Sequence, residues 1–103
     1  MKTLDDDTNI KLLPKIIIRY CPGCHWLPRA CWMAQELLYT FSKEIGEVAL
    51  APEHETSGLF RIELDDEIIW CRKRDNGFPD VKTLKQLVRD KISPERHLGH
   101  LDS

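Results

Sequence analysis

Two cysteines separated by two residues are the part of this sequence that most clearly carries chemistry. In RYCPGCHW (19–26), Cys21 and Cys24 enclose Pro22 and Gly23, and His25 follows the second cysteine directly. Three kinds of chemistry use this spacing: a dithiol–disulfide couple, one half of a zinc site, and covalent haem attachment through Cys-x-x-Cys-His. The remaining residues must distinguish the three.

Zinc and haem each need residues that the sequence does not supply. Structural zinc takes four ligands, but no second cysteine or histidine pair accompanies the first. We expect Cys31 and Cys71 to be buried as small hydrophobic residues rather than to bind a metal. For haem, Met33 is the only downstream methionine and lies on the helix that follows the motif, so it cannot reach the opposite haem face. The sequence therefore predicts no metal and no cofactor.

The composition is that of an ordinary soluble domain. The 103 residues carry a formal net charge of −2, and their only dense basic run is residues 72–74, so we expect no nucleic-acid binding. Three aspartates near the N-terminus stand where a secretory signal would be basic, and the apolar run at residues 16–18 is too short to cross a membrane. The predicted location is a reducing cytoplasm, where closely spaced cysteines are more often catalytic or metal-binding than structural.

The spacing of apolar residues predicts a strand and a helix around the motif. Consecutive β-branched residues in PKIIIRY (14–20) predict a central strand covered on both faces. Pro22 and Gly23 then make a turn, after which a helix begins close to Cys24 and ends at Gly46. The apolar stripe of that helix comprises Leu27, Ala30, Cys31, Ala34, Leu37, Leu38, Phe41 and Ile45.

The second half of the sequence predicts strands followed by one more helix. Residues 47–51 form a strand parallel to the first, and residues 59–64 and 67–73 form an antiparallel hairpin around Asp65-Asp66. Asp80 caps a final helix whose buried face comprises Val81, Leu84, Leu87, Val88 and Ile92. The predicted fold class is α/β, a two-layer βαβ-ββα sandwich with a four-stranded mixed sheet and two helices. It spans residues 12–93, between a disordered N-terminus (1–11) and a flexible C-terminal tail (94–103).

This layout gives the two cysteines a redox-active setting. They lie where a strand ends and a helix begins, so free amide groups and the helix dipole would stabilise a thiolate. Such sites lower the cysteine pKa from roughly 8.5 to about 3.5–7.5. The two-residue spacer lets the sulfurs meet, so that one can resolve the oxidation of the other. The alternative is a static bridge or two inert thiols.

The sequence resembles the selenoprotein W, T and H family (Rdx type), in its bacterial cysteine-containing form. The segments YCPGCHWLPRA and RKRDNGFPDVKTLKQLVRDKI carry the resemblance, which covers residues 12–93. It implies a thioredoxin-like fold and a thiol redox role, with glutathione, a peroxide or a thiol protein as partner. The selenium position of selenium-containing relatives falls on Cys24, whereas thioredoxins attack with the first cysteine. Cys21 and Cys24 are thus both predicted to be catalytic, with their roles left open.

Four residues near the motif are predicted to dock a partner: His25, Trp26, Phe78 and Pro79. An exposed tryptophan beside a reactive disulfide makes a plausible contact surface, although Trp26 and Phe78 can equally pack into the core. Thr56-Ser57-Gly58 stands where thioredoxins place a proline, so docking of a protein substrate by strand addition beside the dithiol is less expected than in a thioredoxin. The Trp26 and Phe78 surface remains the basis for docking. A second hypothesis is therefore a non-catalytic interaction module on the same scaffold, and both enzymatic activity and oligomeric state stay open.

Overall fold

A computed structural model of the chain describes residues 12–99, which form a four-stranded sheet with two helices on one face. The predicted disordered segment 1–11 lies outside the described residues, as do residues 100–103. The elements are β1 (Lys15–Tyr20), a 3-10 turn (Pro22–Cys24), α1 (Leu27–Thr40), β2 (Glu47–Pro52), β3 (Phe60–Leu64), β4 (Glu67–Cys71) and α2 (Val81–Ile92). The predicted α/β fold with its βαβ-ββα order is confirmed.

The strand that leads into the cysteine motif lies inside the sheet. The strand order is β2-β1-β3-β4, with β1 parallel to β2 and antiparallel to β3. In the parallel pair, Lys15 lies opposite Glu47 and Tyr20 opposite Pro52. Because parallel strands need a crossover connection, α1 spans the sheet between them. The carboxyl ends of β1 and β2 therefore lie at the same end of the sheet, next to the cysteines.

The described part of the chain covers only one face of the sheet, which corrects the prediction of a strand buried on both faces. Ile16 and Ile18 are fully buried, whereas Ile17 and Arg19 on the other face of β1 are partly exposed. Both helices pack on the same side and are joined there by an ion pair between Lys85 Nζ and Glu36 Oε1 at 2.9 Å. The buried core comprises Ile16, Ile18, Tyr20, Ala30, Met33, Ala34, Leu37, Phe41, Ile45, Phe60, Ile62, Leu64, Ile69, Leu84 and Val88.

The predicted bounds of α1 are wrong at both ends. The helix begins at Leu27 rather than near Cys24, and it ends at Thr40 rather than at Gly46. Gly46 has a different role, because a Cβ there would lie 3.0 Å from Leu13 Cβ and 3.1 Å from the Leu13 carbonyl oxygen. Its amide also donates to the Pro14 carbonyl at 2.8 Å. Close backbone approach before β1 therefore calls for glycine at this position.

The buried side of α1 is also rotated from the predicted stripe. Met33, expected off the stripe, is buried, whereas Cys31 and Leu38, expected on it, are exposed. Steps of three and four residues allow two neighbouring stripes on one helix, and packing against the sheet and α2 buries the one that contains Met33 and Leu37. The prediction that Cys31 is a buried hydrophobic residue is therefore wrong.

A side-chain hydrogen bond fixes the start of the last helix, α2. Asp80 Oδ1 accepts a hydrogen bond from the Thr83 amide at 2.7 Å, which confirms the predicted cap of α2. Strand β4 ends at Cys71, two residues earlier than predicted.

Beyond α2, Arg96 Nη1 donates a hydrogen bond to Glu44 Oε2 at 3.0 Å. Flexibility of the tail 94–103 stays a prediction. No helix within residues 12–99 is long and apolar enough to cross a bilayer.

The uncovered face of the sheet carries a carboxylate held between two arginines. Arg19 Nε and Arg61 Nε donate to Glu63 Oε2 at 2.8 and 2.7 Å. Burial alone would raise the pKa of Glu63, but the hydrogen bonds and charges of the two arginines outweigh burial and hold the pKa below its usual 4.5. The cluster therefore links β1 to β3 just before the cysteines.

We expect the Glu63 cluster to make stability depend on pH in acid. Because the pKa of Glu63 is lower in the folded chain, its contribution is complete above the usual 4.5 and is lost as pH falls below that value. Glu63→Gln should cost about 1–2 kcal/mol at neutral pH and should flatten this acid loss. Urea denaturation at about pH 7 and about pH 3.5 measures both effects. An equal acid loss in wild type and variant would contradict the expectation.

Candidate functional site

The two motif cysteines are joined in the structure by a disulfide at the end of β1. Their Cα atoms lie 5.3 Å apart, inside the range that disulfides occupy. The CPGC turn (residues 21–24) is closed by the Cys24 amide, which donates to the Cys21 carbonyl at 3.3 Å. Pro22 starts the 3-10 turn, where its fixed φ is favourable. The sequence thus encodes a turn that brings the two sulfurs together.

A left-handed residue separates the CPGC turn from α1. His25 has φ 63°, and its amide donates to the Pro22 carbonyl at 3.2 Å. The helix then begins at Leu27, three residues after Cys24. The amides of Cys24 and His25 are therefore engaged within the turn, and the first turn of α1 lies beyond both cysteines. Stabilisation of a thiolate by the first turn of α1 stays a prediction.

The two cysteines of the disulfide differ in their exposure to solvent. Cys21 is only 4% exposed, whereas Cys24 is partly exposed. A thiol partner in solution can therefore approach Cys24 more readily than Cys21. This asymmetry was not encoded in any sequence pattern, because it depends on how the turn sits over the sheet.

The CPGC turn faces an acidic loop that connects β2 to β3. Residues 21–23 line a shallow groove together with Glu53, His54, Glu55 and Ser57. The Glu53 amide donates to the Tyr20 carbonyl at 2.7 Å, and the Glu53 carboxylate accepts from two amides of its own loop, each at 3.1 Å. One wall of the approach to the disulfide is therefore negatively charged.

Three aromatic rings, one of them from the segment that follows Cys24, pack against one another. Trp26, Phe60 and Phe78 meet edge to face, with ring centroids 6.2, 5.0 and 4.9 Å apart. The Arg29 guanidinium lies 4.0 Å from the Phe78 ring, and the Arg72 guanidinium lies 5.0 Å from the Trp26 ring. Such edge-to-face pairs stabilise beyond the area that they bury. The rings therefore brace the segment that follows Cys24.

The four predicted docking residues have different surroundings. His25 is exposed, Trp26 and Phe78 are partly buried in the aromatic cluster, and Pro79 is buried. Both alternatives for Trp26 and Phe78 thus hold in part, since each ring packs on the core and keeps an exposed edge. Docking of a partner at this surface stays a prediction.

Sequence reasoning missed Arg72, which connects the two sides of the site. Its guanidinium donates twice to the Gly58 carbonyl, from Nε at 3.3 Å and from Nη2 at 3.1 Å, while lying over the Trp26 ring. Gly58 has φ 80°, which favours glycine. The sequence indicates no role for Arg72 beyond its place in a basic run and in a predicted strand, and no local signal marks it as partly buried.

We expect Arg72 to position both the acidic loop and Trp26. Arg72→Met should lower the free energy of unfolding by about 1–2 kcal/mol, because a bidentate hydrogen bond and a cation–π contact are lost together. Arg72→Lys should recover part of that loss, and Lys73→Met, an exposed neighbour, should show none. Urea denaturation with tryptophan fluorescence measures these values. Equal effects of Arg72→Met and Lys73→Met would contradict the positioning role.

The two remaining cysteines do not join the CPGC turn. Cys31 is exposed on α1, and Cys71 is partly buried at the end of β4, where its amide donates to Asp75 Oδ2 at 2.9 Å. Both are free thiols. Within residues 12–99, no group of three or more histidine, cysteine, aspartate or glutamate side chains is arranged to hold a metal ion.

The fold and the site together define a two-layer α/β protein with a disulfide at the carboxyl end of a central strand. The model of the Rdx family matches residues 15–90, and the chain belongs to this family. The predicted resemblance is thereby confirmed. A search of curated proteins finds no match.

Two solved structures are close to the chain. The crystal structure of a protein of Bordetella parapertussis, 53% identical in sequence, superposes on this chain with a TM-score of 0.75. The match covers 79% of this chain and 100% of that protein. The crystal structure of a selenoprotein W-related protein of Vibrio cholerae, 49% identical in sequence, also superposes with a TM-score of 0.75. That match covers 80% of this chain and 100% of that protein. The similarity extends over nearly all of the described domain.

Proposed function

We propose that this chain is a thiol–disulfide redox protein in which Cys21 and Cys24 alternate between a dithiol and a disulfide. The observation that carries the proposal is the disulfide itself, built into a turn at the end of a central strand with one cysteine partly exposed. Membership of the Rdx family and similarity to a selenoprotein W-related protein support the same class of chemistry.

Exposure supports assigning different roles to the two cysteines. In the reduced chain, the Cys24 thiolate attacks one sulfur of a partner disulfide, which forms a mixed disulfide and releases the other partner sulfur as a thiolate. The Cys21 thiolate then attacks Cys24 Sγ, closes the intramolecular disulfide and releases the second partner thiol. The protein dithiol loses two electrons and two protons, and the partner disulfide gains both.

We propose glutathione or a thiol protein as the partner, in a reducing cytoplasm. Cys24 is partly exposed, which leaves it open to a small thiol and to an extended segment of a protein. A non-catalytic interaction module is supported less well, because Trp26 and Phe78 are largely engaged with each other and with Phe60.

Reaction of the reduced chain with glutathione disulfide tests the proposal. The reduced chain should convert to a form two mass units lighter, with one intramolecular disulfide and two equivalents of reduced glutathione released. The Cys31→Ser/Cys71→Ser chain should behave in the same way, since neither free thiol takes part. A chain that takes up glutathione only on Cys31 or Cys71, with the motif thiols unreacted, would overturn the proposal.

A further inference from the structure

Strand β2 is an edge strand whose protecting residues, Glu47 and Pro52, lie only at its two ends. Within residues 12–99 it pairs only with β1, so its other side presents backbone donors and acceptors along residues 47–52. Proteins commonly guard such edges with lysine, bulges or inward-pointing charges. Between Glu47 and Pro52 the strand reads Val-Ala-Leu-Ala and carries no charge. This edge is therefore able to accept a further strand.

An apolar groove lies where the side chains of an added strand would go. It runs between α1 and β2 and is lined by Cys31, Ala34, Gln35, Leu38, Tyr39 and Leu50. Tyr39 is 87% exposed and Leu38 is 43% exposed. Because alternate residues of a strand point to the same face, every second side chain of an added strand would cover these residues. The groove and the free edge thus fit the same extended segment.

The carboxyl end of β2 leads directly to the disulfide. Tyr20 pairs with Pro52, and the next residue, Glu53, donates its amide to the Tyr20 carbonyl beside the CPGC turn. Glu53 and Glu55 flank the groove that contains Cys21. A segment that follows the β2 edge therefore enters a negatively charged region as it reaches the disulfide.

We propose that the β2 edge binds an extended segment of a redox partner protein, with apolar residues at alternate positions and lysine or arginine next to its reactive cysteine. The inference rests on the proposed function, since it identifies the partner of that same disulfide. Strand addition supplies affinity through backbone hydrogen bonds, and the groove and the acidic loop supply selectivity. A second copy of β2 fits less well, because antiparallel pairing would bring Glu47 of each copy towards Glu53 of the other.

Binding of a synthetic peptide tests the proposal without any thiol chemistry. The probe is fluorescein-labelled Val-Thr-Val-Thr-Val-Ser-Lys-Lys, in which serine replaces the reactive cysteine, and fluorescence anisotropy reports its affinity for the oxidised chain. Replacing both lysines of the peptide by glutamate should weaken binding about tenfold. Methylating alternate backbone nitrogens should abolish binding, and added salt should weaken it.

Matched variants of the protein locate the binding surface. Leu38→Lys should weaken binding about tenfold, whereas Ile68→Lys should not, since Ile68 is similarly exposed at 40% but lies on the opposite edge strand. Glu55→Lys should weaken binding of the lysine peptide and strengthen that of the glutamate peptide. The proposal fails if the two peptides bind equally, if Leu38→Lys binds like wild type, or if the free chain is a dimer that Leu38→Lys disperses.

Failure of the docking proposal can be told apart from failure of the redox proposal. Dithiothreitol is too small to need the β2 edge, so it should reduce the disulfide equally fast in wild type and Leu38→Lys. Normal reduction with no peptide binding would overturn only the docking proposal. Peptide binding to a chain whose disulfide does not exchange would overturn the redox proposal and the redox character of the partner, and would leave the β2 edge as a peptide-binding site.

Discussion

Cys21→Ser is expected to trap a stable mixed disulfide on Cys24, whereas Cys24→Ser is expected to trap almost none. Without Cys21, no internal thiol lies next to Cys24 to attack the mixed disulfide and release the partner. Without Cys24, the remaining motif thiol belongs to a residue that is only 4% exposed. Treatment with glutathione disulfide followed by intact-mass spectrometry measures the adduct on each variant.

The experiment needs the Cys31→Ser/Cys71→Ser background, because Cys31 is an exposed free thiol that can form an adduct of its own. In that background, wild-type motif cysteines should yield the intramolecular disulfide and little adduct. Equal trapping by the two single-cysteine variants would contradict the assignment of Cys24 as the exchanging sulfur. Adduct on Cys21 alone would reverse the two roles.

Phe60→Ala is expected to lower the free energy of unfolding by about 3–5 kcal/mol. Phe60 is 1% exposed and contacts both Trp26 and Phe78, so its removal leaves a cavity beneath the segment that follows Cys24. It also lies opposite Tyr20 on the neighbouring strand. Urea denaturation followed by tryptophan fluorescence measures the loss.

Two further variants show whether that loss comes from the aromatic cluster. Phe60→Leu keeps most of the volume and should cost less than Phe60→Ala. Tyr39→Ala removes an aromatic ring that is exposed on α1 and should change stability very little. If Phe60→Ala cost no more than Tyr39→Ala, the rings could not be the support of the segment that follows Cys24.

The sequence was sufficient to predict elements whose patterns are local. The β-branched run before Cys21, the hairpin around Asp65-Asp66 and the Asp80 cap each follow from neighbouring residues, and all three are present. The motif spacing likewise predicted a turn in which two sulfurs meet, and the structure contains it. These features needed no knowledge of distant contacts.

The features that the sequence could not predict depend on packing between distant segments. The start of α1 moved to Leu27 because His25 takes a left-handed conformation, which no pattern around CPGCH signals. The buried side of α1 depends on how the helix packs in the folded chain. Met33 is therefore buried and Cys31 is exposed, the reverse of what the predicted stripe implies. Arg72 reaches Gly58 across fourteen residues of chain, and only the folded hairpin brings the two together.

The reduction potential of the motif disulfide tests the redox proposal most directly. Equilibration of the Cys31→Ser/Cys71→Ser chain with dithiothreitol and glutathione buffers, followed by counting of free thiols, gives this value. We predict one two-electron transition between about −300 and about −120 mV, the range of disulfides that exchange with cellular thiols. A potential below about −300 mV would mark the disulfide as a permanent structural bond and would contradict the account.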